Sequence, residues 1–236
     1  MSGGYVVTGA SSGIGAHVAR QLLSRGDRVL AVARRDDLLR DVCGDNPSAR
    51  DLSADLCDDG AVDRVAAAAG EFLGRVKGFV HCAGFSSPAP VGMIDAVVAQ
   101  NLFKVHALFP LRFLGWMMKS VHHEADAACV LMTSLAVHRP TPGNAAYAAA
   151  KGAIEGLLPS VAAELAGRSI RVNAVDPGIV DTDMVRETWM RTMPPARLEE
   201  LRAEYPNGFR SPDAVAEAIL GLLDDTSGQT GRVVTL

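Results

Sequence analysis

The chain alternates between short apolar runs and longer segments in which apolar residues recur every three or four positions. Residues 5–7 (Tyr-Val-Val) are typical of a buried strand, and helical spacing follows from 14 to 23. That spacing ends at Arg25 and Gly26, and a cation in the last turn followed by glycine is a common helix stop. The sequence therefore predicts a strand, a turn and a helix at the start of the chain.

The same alternation continues to the end of the chain. It predicts strands at residues 28–33, 77–82, 128–134, 170–175 and 233–236, and helices at 94–120, 145–165 and 212–223. Pro110 is expected to kink the long helix. This rhythm favours right-handed βαβ units and one Rossmann-type, doubly wound parallel sheet of about seven strands flanked by helices, in a single domain spanning residues 1–236. Ligands of such sheets bind at the carboxyl ends of the strands.

Composition narrows the possible classes of protein. Hydrophobic residues make up 48% of the 236 residues and aromatic residues only 5%, as expected for buried parallel strands and their covering helices. The net charge of −4 gives no reason to expect nucleic-acid binding. No apolar run is long enough for a membrane span, no signal peptide precedes the first strand, and the four cysteines form no C-x-x-C pair. We therefore expect a cytoplasmic protein with reduced thiols and no metal site.

Three glycines lie where the first predicted strand turns into the first helix. They belong to the segment Gly9-Ala10-Ser11-Ser12-Gly13-Ile14-Gly15, which we call the glycine loop. Free N–H groups and the helix dipole favour anions at a helix N-terminus. The loop is therefore predicted to bind the pyrophosphate of a dinucleotide. The alternative is a tight turn that binds no ligand.

Tyr147 and Lys151 are four residues apart and so share one face of the predicted helix. An isolated tyrosine has a pKa of about 10, and a nearby ammonium group lowers it. Tyr147 is then expected to act as a general acid when a carbonyl is reduced, and as a general base in the reverse reaction. Taken alone, a pair with this spacing is more often two surface residues of a helix.

Together, the glycine loop and Tyr147-Ala-Ala-Ala-Lys151 resemble the short-chain dehydrogenase/reductase family, and the resemblance covers nearly the whole chain. It implies hydride transfer between a nicotinamide and a carbonyl or alcohol. Ser134, 13 residues before Tyr147, is implied to hold the substrate oxygen. Asn101 is implied to hold a water molecule in a proton relay through Lys151. Without the resemblance, Ser134 is an ordinary strand-end hydroxyl and Asn101 a tolerated polar residue.

The resemblance also implies where the cofactor makes its other contacts. Asp55 is expected either to meet the adenine edge or to cap a helix. His81 and Cys82 replace the asparagines usual in the family, which puts some supporting hydrogen bonds in doubt, and we expect His81 to be a strand-end residue rather than a catalyst. The expected cofactor-binding residues are Gly9, Ser11, Ser12, Gly13, Ile14, Gly15, Arg34, Arg35, Asp55, Leu56, Ala83, Gly84, Tyr147, Lys151, Pro177, Gly178, Val180 and Thr182.

The end of the second strand predicts which nicotinamide is used. Relatives that prefer NAD carry an aspartate there for the ribose hydroxyls, whereas this chain has Ala33 followed by Arg34 and Arg35. No carboxylate repels a 2′-phosphate, and a guanidinium can bind it with two hydrogen bonds. The sequence therefore predicts NADP(H), with Arg34 as the main contact. The alternative is that both arginines are a solvated start to the next helix.

Residues 181–207 are predicted to form a lid over the substrate. Their apolar and methionine-rich composition indicates a partly hydrophobic substrate, although core packing of two short helices would give the same pattern. The candidate substrate contacts are His138, Asn144, Met184 and Trp189. The helices at 94–120 and 145–165 carry more apolar surface than one sheet face needs. By resemblance they form a four-helix interface in a homodimer or tetramer, and the alternative is deeper burial within the monomer.

Three other functions remain open on the sequence. A 3-oxoacyl-thioester reductase would use the same residues. A non-catalytic protein that senses nicotinamide would keep the fold, but such proteins usually lose the tyrosine or lysine. A sugar-nucleotide epimerase or dehydratase usually carries a larger C-terminal substrate domain than the roughly 60 residues that follow Pro177 here.

Overall fold

The computed structural model describes residues 2–139, 141–190, 194–205 and 208–236. Within these residues, seven strands pair in parallel to form one sheet, in the order β3-β2-β1-β4-β5-β6-β7. This confirms the predicted doubly wound sheet. The strands are β1 (Gly4–Thr8), β2 (Arg28–Ala33), β3 (Ala49–Ser53), β4 (Val76–His81), β5 (His123–Met132), β6 (Ile170–Asp176) and β7 (Val233–Thr235).

Helices cover both faces of the sheet. They are α1 (Gly13–Ser24), α2 (Asp36–Cys43), α3 (Ala61–Leu73), α4 (Ala96–Phe103), α5 (Phe109–Met117), α6 (Ala145–Ala166), α7 (Pro195–Glu204) and α8 (Pro212–Asp224). The sequence pattern had not indicated β3, which is a polar strand at the edge of the sheet. The sequence pattern also predicted this strand at 128–134, later than the observed β5, because the first residues of β5 are mostly polar and do not belong to an apolar run.

The core lies in two layers because successive side chains of a strand point to opposite faces. Val6 and Leu30 pack with the layer that includes α3, α5 and α6. Their neighbours Val7 and Val29 pack with the layer that includes α1, α2 and α8. Both faces are buried, which explains why the central strands are almost continuously apolar.

The helix predicted at 94–120 is interrupted. A π-helical segment, Lys104–Leu108, separates α4 from α5. Pro110 has no N–H and cannot donate the usual bond to the carbonyl of His106, four residues earlier. The disturbance predicted at Pro110 is therefore observed as a π-helical turn, which ends immediately before α5.

The topology places a crevice at the middle of the sheet. The chain leaves β1 towards β2 and β3 on one side, and it returns to β4 on the other side. The loops after β1 and β4 therefore diverge, and a ligand can enter between them. No helix in the described part of the chain is both long and apolar enough to cross a bilayer. The same residues contain four free cysteines and no cluster of three or more metal-binding side chains.

Candidate active site

A cleft of about 370 Å³ opens at the carboxyl ends of the central strands. The structure places every residue of the expected cofactor set on its wall, together with Ser134. These residues come from the glycine loop and from the segments after β2, β3, β4, β5 and β6, as well as from α6. Segments far apart in the sequence therefore converge on one site, and their individual roles remain predictions.

The glycine loop brings backbone groups closer together than side chains would allow. Gly9 has φ 69°, and a Cβ there would lie 2.7 Å from the Ala83 amide nitrogen. A Cβ on Gly15 would overlap the carbonyl oxygen of Gly9. Because these spaces are open only to glycine, the first turn of α1 can present its N–H groups to an anion. The loop thus fits the pyrophosphate of a dinucleotide.

Arg35 is already held against the glycine loop. Its Nη2 donates to the hydroxyl oxygens of Ser12 (2.6 Å) and Ser11 (3.2 Å). Arg34 and Arg35 both line the cleft, at the start of α2. This end of the cleft therefore carries two guanidinium groups beside the glycine loop.

Residues after β3 form another part of the cleft wall. The Asp55 carboxylate accepts the amide of Cys57 (2.9 Å), and both residues line the cleft. Asp55 therefore lies on the cleft wall and closes a local turn. It does not cap a helix, since the next helix, α3, begins at Ala61 with Gly60 at its N-cap, and the contact of Asp55 with an adenine stays a prediction.

Ser134, Tyr147 and Lys151 meet at the other end of the cleft. Lys151 is buried, and its Nζ donates to the Met132 carbonyl at 2.7 Å. The same nitrogen lies 5.9 Å from the centroid of the Tyr147 ring. The Ser134 hydroxyl is near enough to the Tyr147 phenol to act on its pKa in the lowering direction. The N-terminal part of α6 and the end of β5 therefore bring together a phenol, an ammonium and a hydroxyl.

The prediction that the pKa of Tyr147 is lowered is wrong: within this chain it is raised above the usual value of a tyrosine. Burial raises the pKa of Tyr147, and Asp176 adds to this, while the Ser134 hydroxyl acts in the opposite direction without outweighing burial. Burial also lowers the pKa of Lys151 to about 8. Desolvation penalises the charged form of each group, and this cost is not visible in residue spacing.

Asn101 does not lie on the cleft wall. It belongs to α4, and its carbonyl accepts the thiol of Cys57 at 3.7 Å. The side chain that the structure brings to the cleft is that of His106, five residues later. The π-helical segment begins between the two residues, so His106 does not follow the regular helical spacing of α4 that contains Asn101. His106 is not among the residues predicted from the sequence. Pro110, which interrupts the helix at that carbonyl, was the available signal.

His81 restores hydrogen bonds that the sequence had put in doubt. Its Nδ1 lies 2.8 Å from the Thr8 hydroxyl oxygen, and its Nε2 lies 2.9 Å from the Val105 carbonyl. Since a carbonyl can only accept, Nε2 carries the proton and Nδ1 accepts from Thr8. Burial lowers the pKa of His81 to about 3. The imidazole thus ties β1 and β4 to the π-helical segment as a neutral group.

The four candidate substrate contacts have different placements. Met184 lines the cleft. His138 pairs instead with Glu155, at 2.9 Å, and Glu155 also accepts the Thr133 hydroxyl at 2.7 Å. Asn144 is buried before α6 and is not on the cleft wall. The Trp189 side chain lies outside the described residues, as do parts of the predicted lid: residues 191–193, 206 and 207.

Comparison with known proteins agrees with this geometry. A family model described as enoyl-(acyl carrier protein) reductase matches residues 9–236. The chain is 32% identical to 2-(R)-hydroxypropyl-CoM dehydrogenase of Xanthobacter autotrophicus over 94% of this chain and 91% of that protein. It is 30% identical to carbonyl reductase (NADPH) 2 of Sus scrofa over 95% and 90% of the two chains.

A solved structure shows the same fold. It is described as a short chain dehydrogenase/reductase family protein and is 28% identical to this chain, with a TM-score of 0.82. The match covers 99% of this chain and 94% of the other. The similarity therefore extends over the whole sheet and is not confined to the glycine loop.

Proposed function

The chain belongs to the short-chain dehydrogenase/reductase family, and on that premise we propose that it is an NADP(H)-dependent oxidoreductase that reduces a ketone or oxidises the corresponding secondary alcohol. Its relatives include dehydrogenases and reductases. The observation that carries the proposal is the convergence of Ser134, Tyr147 and Lys151 at the cleft end opposite the two arginines, with the phosphate cradle in the same cleft. A nicotinamide dinucleotide bound along this wall supplies the hydride that the carbonyl carbon receives.

Each side chain then has a distinct part in the proton transfer. Ser134 donates a hydrogen bond to the carbonyl oxygen as negative charge develops there. Tyr147 gives its phenolic proton to that oxygen, and the product is the alcohol. Because burial raises the pKa of Tyr147, the phenol keeps its proton at neutral pH and is ready to donate in the reducing direction.

Lys151 stabilises the phenolate that remains. With its pKa lowered to about 8, it is still mostly charged at pH 7. The buried ammonium therefore faces the new negative charge with little screening by water. The rate of ketone reduction is expected to fall above pH 8, as Lys151 loses its proton.

The cleft wall supports a partly hydrophobic substrate. Beside the Ser134 and Tyr147 end lie the apolar residues Phe85, Leu135, Ile179, Met184 and Val185. We propose that residues 181–207 act as the lid that excludes water over this end.

The direct test uses the purified protein, NADPH and a panel of ketones of graded hydrophobicity, with consumption of NADPH followed by absorbance. The proposal predicts turnover that improves with the apolar part of the ketone. A protein that binds NADPH but turns over no carbonyl would be the nicotinamide sensor. Turnover confined to 3-oxoacyl thioesters would identify the second candidate, a 3-oxoacyl-thioester reductase. The description of the matching family model names an acyl carrier protein, which carries acyl groups as thioesters, but the enoyl group that it names is reduced at a carbon–carbon double bond and not at a ketone.

The preference for NADP(H) is supported by the two arginines at the cleft and by the NADPH named for one relative. The Arg34→Ala variant should lower the ratio of kcat/KM with NADPH to that with NADH by at least about tenfold, since a charge-assisted bond to phosphate is lost. Arg35→Ala is the matched variant. If Arg35→Ala lowers this ratio more than Arg34→Ala does, Arg35, which donates to Ser11 and Ser12, is the main contact of the 2′-phosphate. A ratio that is unchanged in both variants would refute the preference for NADP(H).

The expected homo-oligomer is also a proposal. Several apolar side chains along α4, the π-helical segment and α5 remain exposed, among them Val97, Phe103, Leu108 and Leu111. Exposed apolar side chains along one pair of helices favour an interface with a second copy. Light scattering at micromolar protein concentration should give the mass of a dimer or tetramer, and the mass of a monomer would refute this.

A further inference from the structure

We propose that His106 is a positioning residue for the proton donor: its imidazole, anchored to the Phe85 carbonyl and seated in the space left by Gly84, holds the Tyr147 ring edge-on in the cleft. The inference rests on the proposed role of Tyr147. It adds to that site a residue that neither the sequence argument nor the comparisons had indicated.

The seat of His106 is closely defined. The side chain is 1% exposed, and Nε2 lies 2.9 Å from the carbonyl oxygen of Phe85. A Cβ on Gly84 would overlap the Cε1 atom of the imidazole. The glycine after β4 is therefore needed for the histidine ring in this chain, as well as for the approach of a ligand.

The backbone next to His106 is fixed independently. The Val105 carbonyl accepts the bond from His81, which holds the π-helical segment against β4. Pro110 gives no helical bond to the His106 carbonyl, so the segment is not simply a continuation of α4. Two side-chain bonds, from His81 to Val105 and from His106 to Phe85, thus hold this turn against β4 and the loop after it.

The imidazole contacts the proton donor directly. The ring centroids of His106 and Tyr147 are 5.4 Å apart, and the planes meet at 86°. Edge-to-face packing of this kind is a preferred arrangement of aromatic rings. A ring held in this way cannot swing about its Cα–Cβ bond, so the phenolic oxygen keeps its place in the cleft.

The chemistry of the ring explains why this position carries histidine. The Phe85 carbonyl can only accept, so Nε2 carries the proton and Nδ1 is a bare acceptor. Nδ1 has no hydrogen-bond partner among the described residues, although buried polar atoms are normally paired. Burial and the Lys151 charge lower the pKa of His106 well below 6.5, so the ring stays neutral. Glutamine could keep only the bond to Phe85, and phenylalanine only the ring contact with Tyr147.

That pair of substitutions gives the test. His106→Gln retains an amide that can donate to Phe85 and removes the ring, whereas His106→Phe retains a ring and removes the donor. Positioning predicts that His106→Gln lowers kcat by about tenfold or more, because a misplaced reacting group is costly, and leaves the KM for NADPH within about twofold. His106→Phe should keep kcat within about threefold of wild type but lower the thermal midpoint.

The opposite pattern overturns the proposal. If His106→Gln keeps the wild-type kcat, or if His106→Phe loses as much kcat as His106→Gln, the ring contact does not position Tyr147 and His106 is only a structural anchor. A second readout needs no turnover: ultraviolet titration of the Tyr147 phenol, identified by its loss in Tyr147→Phe. Its titration midpoint should move in His106→Gln and stay near wild type in His106→Phe. Failure of the proposed function would instead appear as no carbonyl turnover by the wild-type protein.

Discussion

One end of the cleft is formed mainly by backbone groups, and the other end is formed by side chains. The proposed phosphate cradle is the glycine loop, one continuous segment that uses its backbone and depends on the absence of side chains at Gly9 and Gly15. The proposed proton-transfer end uses side chains from separate segments, among them Ser134, His106 and Tyr147. A site made by one local turn can be predicted from spacing, whereas a site assembled from distant segments needs the fold.

The two ends also differ in the kind of energy cost that constrains their residues. At the cradle the constraint is steric, since a Cβ would strike the backbone. At the proton-transfer end it is desolvation, which raises the pKa of Tyr147 and lowers that of Lys151 to about 8. Substitutions at one end should therefore affect ligand affinity, and those at the other should affect rate and pH dependence.

Among the effects on binding and on stability, the largest is expected at the glycine loop. Gly15→Ala would place a Cβ against the carbonyl oxygen of Gly9, so the glycine loop must move. Its N–H groups would then no longer point at the bound phosphates. We expect NADPH to bind at least about 100-fold more weakly, or about 2.7 kcal/mol, as measured by fluorescence titration.

The control for this variant is Gly70→Ala. Gly70 lies inside α3, and a Cβ there would meet no atom within 4 Å. That variant should bind NADPH as the wild type does. Equal weakening in both would mean that the loss is general and not specific to the cradle.

At the opposite end, Lys151→Met should stabilise the fold while removing activity. The folded pKa of about 8 lies below the unfolded value of 10.5, so the charged form carries a full penalty below pH 8. That shift corresponds to about 3 kcal/mol, and loss of the bond to Met132 offsets about 1 kcal/mol, which leaves a net gain of about 2 kcal/mol at pH 7.

The pH dependence of this gain checks its cause. Between pH 8 and 10.5 the unfolded chain binds more protons at Lys151 than the folded chain, so wild-type stability rises with pH and the advantage of Lys151→Met shrinks. Urea unfolding of both proteins at pH 7 and pH 10 measures it. An advantage that does not change with pH would point to packing and not to desolvation.

A smaller effect is expected from His81. Its folded pKa of about 3 lies below the unfolded value of 6.5, so wild-type stability falls as pH decreases through that window. One such group contributes a slope of up to about 1.4 kcal/mol per pH unit. His81→Asn can keep a donor for Val105 and should flatten the slope by about that amount between pH 6 and 4. Parallel slopes for the two proteins would show that His81 is not buried as a neutral group.

The sequence predicted one half of the site better than the other. The sheet, the glycine loop and the Tyr147–Lys151 face follow from periodicity and local spacing, and the structure places them as expected. His106 was not predicted, because its position depends on a π-helical turn and on the space at Gly84, and neither is visible in apolar spacing. The direction of the Tyr147 pKa was wrong for a related reason: desolvation depends on burial, which only the packed structure provides.

The most direct test of the account is the rate of hydride transfer in Tyr147→Phe, measured in a single turnover with NADPH already bound. Phenylalanine keeps the ring but has no proton to give, so the account predicts a fall of about 1000-fold in this rate. The affinity for NADPH, measured by titration, should stay within about twofold of wild type. A variant that transfers hydride at nearly the wild-type rate would contradict the assignment of Tyr147 as the proton donor.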